Sequence, residues 1–148
     1  MRLKDKVIIV TGSTTGIGKA IAKRCVAEGA KVVLHGLEQD LGEEVLAEIG
    51  TEHAVFHCED ITSETCPENL VNLALKRFGK LDAVVNNAAL VIASDIHTTD
   101  RAFFQKVLDI NTISPFLLIQ KALPELIKTR GSVLNIGSIN AWSGEPNL

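Results

Sequence analysis

The sequence predicts an α/β protein built on a parallel sheet with helices on both faces. Two observations carry that prediction. Strand-like and helix-like segments alternate along the whole chain, and the strand-like runs are apolar almost throughout, as strands buried on both faces are. Glycine and polar residues gather just after those runs, at Gly12 to Gly18, His35-Gly36, Asp60-Ile61, Asn86-Asn87 and Gly137-Ser138.

Val7-Ile8-Ile9-Val10 is the first strand. Ile17, Ala20, Ile21 and Cys25 mark one face of the next helix, which Glu28-Gly29 ends. Val32 to His35 is the second strand, and Leu41, Val45 and Ile49 give the following helix its stripe, closed by Gly50. Ala54 to His57 is the third strand. Pro67 suits a first helical turn, and Val71, Ala74, Leu75 and Phe78 recur at helical spacing. Ala83-Val84-Val85 is the fourth strand, a long helix runs from about Asp100 to Ile127, and Val133 to Ile136 is the fifth strand. Right-handed crossovers make a Rossmann-type, doubly wound sheet of order 3-2-1-4-5 the natural topology. The 148 residues suit one domain, without repeat or linker.

The most specific local signal is Thr11-Gly12-Ser13-Thr14-Thr15-Gly16-Ile17-Gly18, lying between the first strand and the first helix. A helix N-terminus offers unpaired N–H groups and partial positive charge, which suit a phosphate. Gly12 permits a tight turn, while Gly16 and Gly18 let a pyrophosphate and the sheet approach the backbone. The phosphate loop of nucleotide-triphosphate hydrolases needs a second glycine followed by Lys-Ser/Thr. Counted from Gly12, that glycine falls on Ile17, and Lys19 is followed by Ala20; the pattern argues against that class.

Composition narrows the remaining classes. No run approaches the roughly eighteen apolar residues of a membrane span, and the start from Met1 to Lys6 lacks a secretory signal. Cys25, Cys58 and Cys66 form no C-x-x-C pair, so a reducing cytoplasm is expected. A net charge of −3 without a basic run argues against nucleic acid. His53 and His57 bracket a strand-like triplet, where their separation is too long for a shared ion, and no metal is expected.

Thr11-Gly12-x-x-x-Gly16-Ile17-Gly18, Asp60, Asn86-Asn87-Ala88, Asn111 and Ser138 together resemble the short-chain dehydrogenases/reductases, in order and across the entire chain. The resemblance implies that Gly12, Gly16, Ile17 and Gly18 form the pyrophosphate turn. It places Asp60 on the adenine amino group, Ile61 beside the ring, and Asn87 on the adenosine ribose. Plainer roles compete: Asp60 as a cap for the following helix, and Asn86-Asn87 as a turn. The family usually has glycine at the position of Ala89. Phe104, Val107, Leu108 and Asn111 share a helical stripe, which points the Asn111 amide toward the core; in the family this residue kinks the helix and supports a water beside a catalytic lysine. Ser138 either caps a turn or, by resemblance, orients a substrate carbonyl.

An acid at the end of the second strand normally selects NAD, and a nearby Arg or Lys selects NADP. Here Gly36 takes the acid's place, Leu37 stands where the family often has arginine, and Glu38 opens a helix. His35 offers a phosphate only weak help, and the expectation tips slightly toward NADP over NAD. The family's catalytic acid is a tyrosine followed four residues later by lysine, a motif that would fall just past Leu148; the chain has no tyrosine and no lysine after Ser138.

It therefore reads as the first part of a longer protein, binding coenzyme with negligible turnover. For the whole protein the expectation is reversible hydride transfer between nicotinamide and a small alcohol or carbonyl substrate, with a non-catalytic dinucleotide-binding or scaffold protein as the alternative. Ala89 to Ile96 and Ile139 to Asn147 would line one side of the substrate pocket. The resemblance also implies a homo-oligomer through the long helix, and the Val133 to Ile136 edge would promote association.

Overall fold

A computed structural model describes residues 1–143. Its elements are β1 (Val7–Val10), α1 (Gly16–Ala27), β2 (Lys31–Gly36), α2 (Gln39–Ile49), β3 (Ala54–Cys58), α3 (Cys66–Phe78), β4 (Ala83–Asn86), α4 (Arg101–Leu108), α5 (Ser114–Thr129) and β5 (Ser132–Asn135). The strands form one parallel sheet in the order β3-β2-β1-β4-β5, the predicted topology.

The near-continuous apolarity of β1 and β2 is explained by cover on both faces. Ile8, Val10, Val32 and Leu34 pack with Ala22, Cys25 and Val45 of α1 and α2. Val7, Ile9 and Val33 point the other way, onto Leu70, Val71 and Ala74 of α3 and Leu118 and Ala122 of α5. Each strand thus divides its side chains between two cores, as the two-residue period requires.

Three helix faces differ from the expected ones. In α1 the buried residues are Gly18, Ala22 and Cys25, whereas Ile17 is 65% exposed and Ala20 also faces out. The cause is steric: a Cβ at Gly18 would overlap the Gly12 carbonyl oxygen. That approach sets the rotation of the helix and turns Ile17 toward the mouth of the sheet. In α3 the stripe shifts toward Cys66, Pro67, Leu70, Val71 and Ala74, leaving Leu75 and Phe78 at its rim.

The long helix is interrupted. Asp109–Ile113 forms a π-turn between α4 and α5, closed by the Ser114 N–H and by its hydroxyl, which donates to the Asp109 carbonyl at 2.7 Å. Such single-turn widenings accompany functional sites in helices. No residue of α4 is buried, Phe104 is 59% exposed, and Asn111 is exposed. The expected core-facing stripe through Phe104 and Asn111 is therefore not formed, because α4 lies beside the sheet's mouth rather than over its core.

By length and composition the helical stretch Arg101–Thr129, taken through the π-turn, is apolar enough to cross a membrane, contrary to the expectation from apolar runs. Its α5 portion instead buries Leu118, Ala122 and Leu126 in the core. All four residues of β5 are exposed.

Asp82 ties the other end of the sheet together. This buried carboxylate accepts the Val7 N–H at 2.9 Å and faces the Lys6 and Lys80 ammonium groups at 3.0 Å each. Its backbone donates to Val7 and accepts from Ser132, so one residue aligns β1, β4 and β5. Burial pushes its pKa up, but the Val7 N–H and the two lysines outweigh that and hold it below the usual 3.8. Asp82→Ala is expected to cost about 3 kcal/mol in urea unfolding. Because the folded carboxyl titrates below the unfolded one, its contribution is complete above pH 3.8 and fades as the pH falls further. The gap between wild type and variant should narrow in acid; a pH-independent gap would contradict this account.

Candidate functional site

The carboxyl ends of the strands open onto a cleft of about 460 Å³, centred where the order reverses between β1 and β4. Open α/β sheets bind ligands at such a point. Gly12, Gly16, Ile17, Gly36, Asp60, Ile61 and Asn87 all line it. Gly18 lies beneath the turn, and neither Asn111 nor Ser138 reaches the cleft wall.

Close backbone approach explains the glycines. Gly12 and Gly16 have φ of +60° and +52°, a region that suits glycine. A Cβ on Gly12 would lie 2.9 Å from the Ala88 Cα, and one on Gly36 would overlap the Thr14 side chain. No side chain caps the start of α1, and its first turn carries no acid. Its N-terminal dipole therefore opens onto the cleft beside Gly16 and Ile17, as an anion site requires.

Asn87 fastens this turn to β4. Its Nδ2 donates to the carbonyls of Thr11 and Gly12 at 3.0 Å each. The N–H groups of Asn87 and Ala88 both donate to the Thr11 hydroxyl at 3.0 Å. Asn86 does not merely close a turn: its Nδ2 donates to Asn135 Oδ1 at 2.8 Å, linking β4 to β5.

Asp60 stands at the cleft with one oxygen accepting the N–H and hydroxyl of Thr62. These bonds hold its pKa below the usual value. The N-cap of α3 is Thr65, so Asp60 is not the cap of that helix. Asn111 clamps the segment after β4, since its amide exchanges hydrogen bonds with both backbone groups of Leu90 at 2.8 and 2.9 Å. Its bonding is to backbone 21 residues away in the sequence. Ser138 Oγ accepts the Asn140 N–H at 3.2 Å and caps the short turn Ile139–Ala141. Of the expected Ile139 to Asn147 wall, residues 144–147 lie outside the described ones.

His35 differs most from expectation. Its ring is buried, with Nδ1 accepting the Gly12 N–H at 3.3 Å and Nε2 bonded to the Glu59 carbonyl at 3.0 Å. A carbonyl only accepts, so the proton resides on Nε2. Burial pushes its pKa down to about 4. A neutral, enclosed ring gives a phosphate no charge, which removes the role expected for it.

Sequence reasoning also missed Glu59. Burial pulls its carboxyl up, but Ser63, Thr65, Asn69 and His57 donate to it and hold it at about 2. Lys106 and Ile110 also line the cleft. Their spacing of one helical turn was visible, but periodicity does not say which helix face meets a cleft.

Relatives share this frame. The short chain dehydrogenase family model matches residues 6–148. A 3-beta-hydroxysteroid dehydrogenase of Comamonas testosteroni is 33% identical over 95% of this chain and 55% of its own length. An NADP-dependent (R)-specific alcohol dehydrogenase of Lentilactobacillus kefiri is 36% identical over 99% of this chain and 60% of its own. The L-fucose dehydrogenase of Mus musculus is 39% identical over 97% and 52%, respectively. This chain thus spans little more than half the length of these curated relatives. A solved short-chain glucose/ribitol dehydrogenase from Brucella melitensis superposes with a TM-score of 0.94 at 30% identity, over 99% of this chain and 62% of that one. With the sheet order, the glycine turn and the Asn87 clamp in place, the chain belongs to the short-chain dehydrogenase family.

Proposed function

We propose that this chain is the coenzyme-binding part of an oxidoreductase that moves a hydride between nicotinamide and an alcohol or carbonyl substrate. The observation that carries the proposal is the uncapped start of α1 facing a turn that only glycine fits. In this assignment Gly12, Gly16, Ile17 and Gly18 hold the diphosphate, Asp60 and Ile61 the adenine, and Asn87 the adenosine ribose. Asn111 would support the proton relay, and Ser138 at the end of β5 would orient the carbonyl. The coenzyme supplies the hydride chemistry; the protein supplies position.

At the ribose end we favour NAD over NADP, against the slight lean of the sequence. The cleft wall after β2 is Gly36, Leu37 and Glu38, and Thr14 fills the space beside Gly36. A 2′-phosphate dianion would meet an apolar side chain and a carboxylate there. Lys106, which reaches the cleft from α4, has the Asp60 carboxylate close enough to share its charge.

For its partners, we assign a second copy of the chain and a small-molecule substrate, with no nucleic acid or membrane. Exposed Phe104, Leu108, Ile113, Phe116 and Leu117 support self-association, the packing of α5 supports a water-soluble setting, and the three free cysteines suit a reducing cytoplasm.

Calorimetric titration of the chain should show NAD binding more tightly than NADP, and Leu37→Arg should shift that ratio toward NADP by about tenfold. Equal or tighter NADP binding by wild type would contradict the preference. Sedimentation should show association through the apolar helix face; a monodisperse monomer would contradict it.

A further inference from the structure

Beneath the glycine turn lies a buried histidine to which the coenzyme assignment gives no task. His35 meets the turn at four points. Its N–H donates to Ser13 Oγ at 2.9 Å, and its carbonyl accepts the Ser13 N–H at 2.8 Å and the Ser13 hydroxyl at 3.4 Å. Any residue could make those backbone bonds. The fourth belongs to the ring alone, in which Nδ1 accepts the Gly12 N–H at 3.3 Å.

The ring is presented in one orientation. Its Nε2 donates to the Glu59 carbonyl, and Cys66 Sγ lies 3.7 Å from the same nitrogen. Glu59 is itself anchored by Ser63, Thr65 and Asn69 at the head of α3. A donor bond at one ring nitrogen leaves the other bare as an acceptor, so Glu59 determines that Nδ1 faces Gly12 without a proton. The same imidazole joins two cleft-lining segments, because Asp60 and Ile61 follow Glu59 directly and Gly12 begins the glycine turn.

We propose that His35 is a positioning residue for the dinucleotide: by accepting the Gly12 N–H it fixes the orientation of the turn's first peptide, and with it the affinity of the diphosphate site. The inference rests on the assignment of the cleft to a nicotinamide coenzyme. Gly12 sits at φ +60°, where glycine has wide conformational freedom, and the carbonyl of the peptide that carries its N–H, that of Thr11, is already held by Asn87. Nδ1 holds the Gly12 N–H. With both polar groups engaged, the peptide has one orientation before ligand arrives, and binding need not order it.

Two substitutions separate the ring's ends. His35→Asn sets an amide oxygen near the place of Nδ1 but falls short of Glu59; His35→Gln reaches toward Glu59 and offers Gly12 nothing.

In calorimetric titration of the chain with NADH, His35→Gln should weaken binding by about tenfold, while His35→Asn should stay within about threefold of wild type. Both variants lose a buried hydrogen bond, so both should lower the Tm. A purely structural role predicts affinities that follow the Tm and do not separate the two variants. Wild-type affinity in His35→Gln would overturn the inference, and failure of wild type to bind either NADH or NADPH would overturn the coenzyme assignment itself. Should a variant not fold, ¹⁵N-histidine spectra of the wild-type chain decide. The His35 Nδ1 resonance should be that of an unprotonated nitrogen and should move on saturation with NADH; a protonated or unmoved Nδ1 would overturn the inference.

Discussion

The contact between the Gly12 peptide and the first turn of α1 at Gly18 governs the rest of the structure. There is no room for a Cβ at either position, so the helix begins almost against the strand that precedes it. That approach rotates α1 until Gly18, Ala22 and Cys25 face the sheet, leaves its N-terminal N–H groups open to the cleft, and brings the turn within reach of Asn87. Any side chain inserted there must push the helix outward, and the core against Val10, Val32 and Leu34 would open with it.

Around that contact the polar groups are arranged in layers. Thr11, Asn87 and Ala88 join β1 to β4 from one side, and Ser13 and His35 join β1 to β2 from the other. Glu59 carries the network on to α3. Among the described residues no buried side-chain polar atom lacks a partner, which is what a rigid, pre-formed binding mouth demands. At the opposite end of the sheet Asp82 does the same for β1, β4 and β5, so the strands are held in register at both ends while their middles are wholly apolar.

Much of this was legible in the sequence because it depends on short-range pattern. The runs at Val7, Val32, Ala54 and Ala83 and the glycine turn between the first strand and helix specify the sheet and its crossovers. Gly12, Gly36, Asp60 and Asn87 could be placed at the cleft because each lies at or just past the end of a strand. What escaped depends on packing between distant segments. The face of α1 was misassigned because the Gly18 contact, rather than hydrophobic spacing, sets its rotation. Asn111 was placed inward because periodicity cannot show that α4 lies outside the core, and the π-turn leaves no mark in that spacing. His35 resembled a weak surface cation in one dimension; only the fold surrounds it with Gly12, Glu59 and Cys66.

The central claim is that the glycine turn and the start of α1 grip the diphosphate of a nicotinamide coenzyme. Backbone amide spectra of the chain recorded while NADH is added test it most directly. The account predicts that the largest shifts fall on Gly12 to Gly18 and on Asn87, with smaller ones at Asp60 and Ile61. Shifts confined to another surface, or none at saturating coenzyme, would contradict it.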